Sequence, residues 1–230
     1  MATDSLSFRV APPRPVNGHP AVDQHAVQFY EKDEFLLEGV TRFVAAGISD
    51  GDSSIVIATK AHRADLEARL VRRGFDLNAA RRRGSYVPLD AAETLSKFMV
   101  GDRPDAAKFE QVVGALIERS VQGPPLRRVR AFGEMVAVLW ADGRADAAIE
   151  LERLWNLLAT RQSFSLLCGY PMRVFAGPTH EGGFAAVAAA HSHVAPTESY
   201  VELDPDERLR AVAQLQQRVA ALEAELAARG

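Results

Sequence analysis

A lysine, a carboxylate, a cysteine and a histidine pair mark the places where this chain could do chemistry. Lys60 follows a short apolar run in SSIVIATKAHRADLEARL, residues 53–70. That is where a nucleotide-binding fold sets its phosphate loop. A P-loop needs glycines so that backbone N–H groups can close on phosphate oxygens, and the turn Thr59-Lys60-Ala61-His62 has none. Neither a Rossmann G-x-G-x-x-G nor a G-x-S-x-G elbow occurs elsewhere, so ATP hydrolysis is disfavoured.

Glu134 follows an apolar run, where a carboxylate is placed for a ligand, a metal or the first turn of a helix. Asp90 ends another run, at the position of a phosphoacceptor. No lysine follows the last strand to complete such a site, and Asp90 with Glu93 reads as a helix cap. Cys168 lies in an apolar stretch with nothing nearby in sequence to lower its pKa, so it is read as a buried small hydrophobe rather than a nucleophile. His191 and His193 form H-x-H, which on a strand would turn both imidazoles to one face. Without a third ligand the preferred reading is a histidine at a helix end followed by linker. No metal and no cofactor is expected.

The elements that must position these residues alternate. HAVQFY, the run before Thr59, SYVPLD, RRVRAF and FSLLCGYP read as strands, near-continuous in apolar residues. Between them lie helical patterns. Asp33 is the expected N-cap of the first, with Leu36, Val40, Phe43 and Val44 on one face. PDAAKFEQVVGALIERSVQ is strongly amphipathic and stops at Gly123-Pro124-Pro125. A three-layer α/β fold follows, a mostly parallel sheet with helices on both faces. Ligands of such sheets bind beyond the carboxyl ends of the strands, which directs attention to Tyr30, Thr59, Asp90, Gly133-Glu134 and Cys168 to Tyr170.

The expected organisation is a tail over 1–23, a domain over 24–195, a linker over 196–204 and a helix over 205–230. In that helix Val212, Leu215, Val219, Leu222 and Leu226 are spaced alternately three and four apart, a short a/d seam suited to a parallel homodimer. The net charge of −3 gives no basic field for nucleic acid or anionic lipid. A single cysteine excludes an internal disulfide, and no apolar run spans a bilayer, so a cytoplasmic protein is expected.

HAVQFYEKDEFLLEGVTRFVAAGISDGDSSIVIATKAHRADLEARL resembles the opening of the MEDS domain, the methanogen/methylotroph DcmR-type sensory domain. YVPLDAAETLSKFMVGDRPDAAKFEQVVG, VRAFGEMVAVLWADG, ELERLWNLLA and FSLLCGYPM continue the likeness in order, from about Asp23 to His193. The resemblance implies a RecA/KaiC-like domain without its nucleotide loop, sensing a small organic molecule without catalysis. It implies His25, Tyr30, Asp90, Glu134, Trp140, Cys168 and Tyr170 as pocket residues. Family members usually precede a histidine kinase or a DNA-binding regulator, and this chain carries neither, so its output is expected to pass through the C-terminal helix to a partner. The alternatives are a ligand-free protein–protein adaptor, or a residual nucleotide-binding or hydrolytic enzyme using Glu134 and histidine.

Overall fold

The computed structural model describes residues 24–122, 127–175 and 182–229. The expected tail and the Gly123-Pro124-Pro125 break lie outside them. Strands β1 (His25–Tyr30), β2 (Ser53–Ala58), β3 (Tyr86–Asp90), β6 (Val129–Gly133), β7 (Ser165–Pro171) and β8 (His193–Ala195) form one parallel sheet in the order β3-β2-β6-β7-β1-β8. A small antiparallel hairpin, β4 (Met99–Val100) with β5 (Arg103–Pro104), stands apart. Every residue of β1, β2 and β7 is buried, which is why these segments read as continuous apolar runs.

Helices α1 (Asp33–Asp50), α2 (Lys60–Arg72) and α3 (Leu77–Arg82) cover one face. The other carries α4 (Ala91–Ser96), α5 (Ala106–Phe109), α6 (Ala115–Val121), α7 (Met135–Ala141), α8 (Ala145–Ala159) and α9 (Gly183–Ala190). The chain moves along the sheet in one direction up to β3 and in the other after it. Right-handed crossovers therefore send the two sets of helices to opposite faces. Period-two alternation divides the core accordingly. Val27 and Phe29 of β1 join the α7–α9 side, and Ala26 and Tyr30 join the α1–α2 side.

Local signals hold in most places. Thr59 caps α2 by accepting the His62 N–H, and Gly74, at φ 88°, turns the chain out of that helix. Asp90 accepts the Ala92 and Glu93 N–H groups at 3.0 and 3.2 Å and so caps α4. Asp33 does not cap α1. It is the first helical residue, and Lys32 stands at the cap position without a side-chain bond. The carboxylate of Glu198 serves this end instead, accepting the Glu31 and Lys32 N–H groups at 2.9 and 2.6 Å. The long amphipathic segment is helical from Ala106 to Val121, but Glu110–Gly114 between α5 and α6 is a π-helical turn.

Two further elements depart from expectation, one at the end of the domain and one within the expected linker. His193–Ala195 is a sixth strand, paired with β1 outside the five expected from sequence. Glu198–Val201 forms the short helix α10, which docks through the buried Glu198. Then α11 (Pro205–Arg229) carries Leu209, Val212, Leu215, Val219, Leu222 and Leu226 exposed. Among the described residues no helix is long and apolar enough to cross a membrane.

Candidate functional site

The expected pocket residues fall into two separate constellations. Because the strands are parallel, Tyr30, Asp90 and Glu134 all stand at the carboxyl edge of the sheet. His25 and Cys168 do not reach that edge: His25 opens β1, and Cys168 is in register with Val27.

At the edge, Glu134 is buried at the end of β6 and reaches sideways to the neighbouring β2–α2 turn. One carboxylate oxygen accepts the Thr59 N–H at 2.8 Å, and the other is bonded to His62 Nδ1. His62 Nε2 lies 3.4 Å from Asp33 Oδ2, so the ring stands between two carboxylates. The hydrogen bond to Glu134 raises the His62 pKa to about 8 against the cost of burial, with the Glu134 charge and Asp33 adding to it. Burial, then the charges of Glu134 and Asp33, push the Tyr30 phenol up, so it stays protonated. This arrangement explains the glycine-free turn. The N-terminus of α2, where a phosphate would sit, already holds a carboxylate from its own chain. A triphosphate would meet that charge at short range. Asp90 remains a cap, with Arg63 at 3.6 Å.

The second constellation lies between the sheet and α8–α9. Alternation along β1 and β7 turns His25, Cys168 and Tyr170 to this face. Glu152 descends onto them from α8, and His191 enters from the end of α9. His25 Nε2 stands 3.2 Å from Glu152 Oε2 and 3.4 Å from Cys168 Sγ. Cys168 Sγ is 3.8 Å from Glu152 Oε2, and His191 Nε2 is 3.5 Å from Glu152 Oε1. The Tyr170 hydroxyl donates to Glu152 Oε1 at 2.7 Å. The two imidazoles lean together with centroids 4.0 Å apart. Of the residues just named, Glu152 is 1 % exposed and Cys168 1 %.

Burial acts on each group here. It raises the Glu152 carboxyl, but the His25 hydrogen bond, the two nearby rings and the Tyr170 hydroxyl outweigh it and hold Glu152 below the usual carboxylate range. Burial and the Glu152 charge push the Cys168 thiol well up. Burial also lowers the His191 pKa and raises that of Tyr170.

Aromatic rings link this centre to the carboxyl edge. Phe29 packs on Phe184 at 4.6 Å and Phe175 at 5.8 Å, and Phe175 meets Trp140 at 5.0 Å and Tyr170 at 5.8 Å. The Trp140 indole also engages the Tyr170 hydroxyl. Gly183 gives the Trp140 ring its space, since a Cβ there would collide with it. Phe184 is exposed and brings the cluster to the surface.

Sequence reasoning missed Glu152 as a participant and did not assign His62 a role. His191 and His193 do not act as a pair, because the chain turns at Ser192 from α9 into β8. The four donors His25 Nε2, Glu152 Oε, Cys168 Sγ and His191 Nε2 lie within 4.8 Å of one another, the one such group of potential metal ligands among the described residues.

Residues 24–192 match the family described as MEDS, the MEthanogen/methylotroph, DcmR Sensory domain. No curated protein matches the chain.

Proposed function

The chain belongs to the MEDS family of sensory domains, and from that premise we propose that it is a non-catalytic sensor of a small, largely apolar organic molecule. The observation that carries the reading is the aromatic cluster of Phe29, Trp140, Tyr170, Phe175 and Phe184. Its rings pack on one another from the exposed Phe184 inward to the Tyr170 hydroxyl, which donates to the Glu152 carboxylate, and a guest would part these rings to reach that polar pair. A guest with an apolar body and one hydrogen-bonding group suits that lining. The Glu134 carboxylate at the α2 N-terminus argues against a nucleotide.

The signal leaves through the C-terminus. His191 is followed directly by β8, then by Glu198, which is clasped to the start of α1, and then by α11. Movement around the aromatic cluster and α9 is thereby passed to the root of α11. The exposed Val212, Leu215, Val219, Leu222 and Leu226 meet the same seam of a second copy in a parallel coiled coil, and a histidine kinase or transcription regulator reads its geometry.

Thermal unfolding against Mg-ATP, short alcohols and halogenated one-carbon compounds tests the reading. A guest present at about 100 times its dissociation constant stabilises by about 2.7 kcal/mol. The expected result is a raised midpoint with an apolar compound, lost in Tyr170→Phe, and none with ATP. A shift with ATP alone overturns it.

A further inference from the structure

We propose that His25, Glu152, Cys168 and His191 form a tetrahedral binding site for one transition-metal ion of the zinc class, held between the sheet and α8–α9.

The donor set is the first argument. Two imidazoles, a thiol and a carboxylate are ligands of the type that Zn(II) and Co(II) take. Spacing is the second. With bonds of about 2.0–2.3 Å to N, O and S, the edges of a tetrahedral site are about 3.3–3.8 Å. Four donor pairs lie at 3.2 to 3.8 Å, the His191 pair through the other Glu152 oxygen, and all four donors fall within 4.8 Å of one another, so a small inward shift of the side chains closes the site on one ion.

The third argument is the way both imidazoles are aimed. Asn156 Nδ2 donates to the Ala190 carbonyl at 2.8 Å, which fixes its amide and turns Oδ1 to His25 Nδ1 at 2.9 Å. An amide oxygen only accepts, so Nδ1 of His25 carries a proton. The Val187 carbonyl, 2.6 Å from His191 Nδ1, imposes the same on that ring. Outer oxygens that set the tautomer in this way are the usual second layer of a histidine metal site. Both Nε2 atoms then face the centre. His191 Nε2 is fully buried and has no hydrogen-bond partner. A proton on His25 Nε2 would satisfy Glu152 and still leave His191 Nε2 unmet. A divalent cation satisfies all four donors at once.

Charge also balances. Glu152 and a Cys168 thiolate supply two negative charges to a doubly positive ion, so the filled site is neutral in a buried core. On loading, the Cys168 S–H bond breaks, the metal–sulfur bond forms and one proton passes to solvent. The ion would join β1, β7, α8 and the end of α9, fixing the point from which β8 and the signalling tail depart. No organic effector is required for it to bind.

The test is titration of metal-stripped, untagged full-length protein with Co(II) in the absence of any organic compound. The expected result is saturation at one ion per chain, with strong visible d–d absorption of tetrahedral cobalt and a near-ultraviolet thiolate-to-cobalt band. Cys168 is the sole cysteine of the chain, so that band in the wild type assigns the sulfur by itself. Cys168→Ser abolishes it, and Asn156→Ala weakens binding about 10–100-fold by releasing the His25 ring. Zn(II) displaces the cobalt and raises the unfolding midpoint. A wild-type spectrum without the thiolate band, or wild-type affinity in Cys168→Ser, overturns the proposal. Should the variants fail to fold, the wild-type spectrum decides alone. An effector screen that fails while cobalt binds would overturn the sensor's guest and leave the metal standing.

Discussion

The two constellations put similar residues to opposite use. At the carboxyl edge, Glu134 has both oxygens engaged, one by the Thr59 N–H and one by His62, and His62 has a carboxylate at each nitrogen. Glu134 and His62 there are both answered from within the chain. Under α8 and α9, Glu152 is nearly encircled by donors, yet His191 Nε2 points inward with no hydrogen-bond partner. A closed set of pairs keeps the sheet edge together and leaves little for a phosphate to bind. An incomplete set in a buried core carries a cost of about 1–3 kcal/mol for each unmet group, which a protein keeps where something else completes it. On the proposals above, the edge has a structural task and the centre a receptive one.

Substitution of each carboxylate tests that contrast. Glu152→Ala gives the largest loss, about 3–5 kcal/mol in urea unfolding, since it strands Tyr170 and both histidines in the buried core. Glu134→Gln keeps the shape and one acceptor for the Thr59 N–H, so its cost is about 1–2 kcal/mol. An equal loss from the two changes would break the distinction between them.

Proton linkage sharpens it further. The His62 pKa is raised in the folded state to about 8, from an ordinary value of 6.5. Its contribution is therefore fully present below about pH 6.5 and is lost as pH rises through about 8. The difference is about 1–2 kcal/mol after allowance for solvent at the half-buried ring. Chemical denaturation from pH 6 to 9 should show it, and His62→Gln should flatten the slope. A wild-type slope that persists in His62→Gln would place the titrating group elsewhere.

Much of this architecture was legible in the sequence because strand and helix periods differ. HAVQFY and FSLLCGYP read as buried strands, but that His25 shares a face with Cys168 and Tyr170 follows only from the β1–β7 register. β8 was not legible. Three residues, His193–Ala195, show no period, and their strand exists only because β1 offers a free edge. Glu152 left a fainter trace. In α8 the buried positions Ala148, Leu151, Trp155 and Leu158 outline a stripe, and Glu152 falls within it. A carboxylate in an apolar stripe demands partners, but those come from β1, β7 and the end of α9, distances in sequence that no local pattern measures. Asp33 failed as a cap for a similar reason: Glu198, far along the chain, reached that helix end first.

The smallest effect on folding is expected where the apolar surface is greatest. Leu215 and Leu222 are 59 % and 61 % exposed on α11, so a single chain gains little from burying them. Changing both to Glu should move the stability of the α/β domain by less than about 0.5 kcal/mol. In a two-stranded seam the same changes set like charges at successive d positions, opposite their copies, and separate the strands. Sedimentation at micromolar concentration should then show a dimer for the wild type and a monomer for the double variant, with the domain's unfolding midpoint unchanged. A wild-type monomer would remove the coiled coil from the signalling route. A fall in the domain's own stability would mean instead that α11 folds back onto the sheet layers, and the exposed stripe would belong to the domain rather than to a second copy.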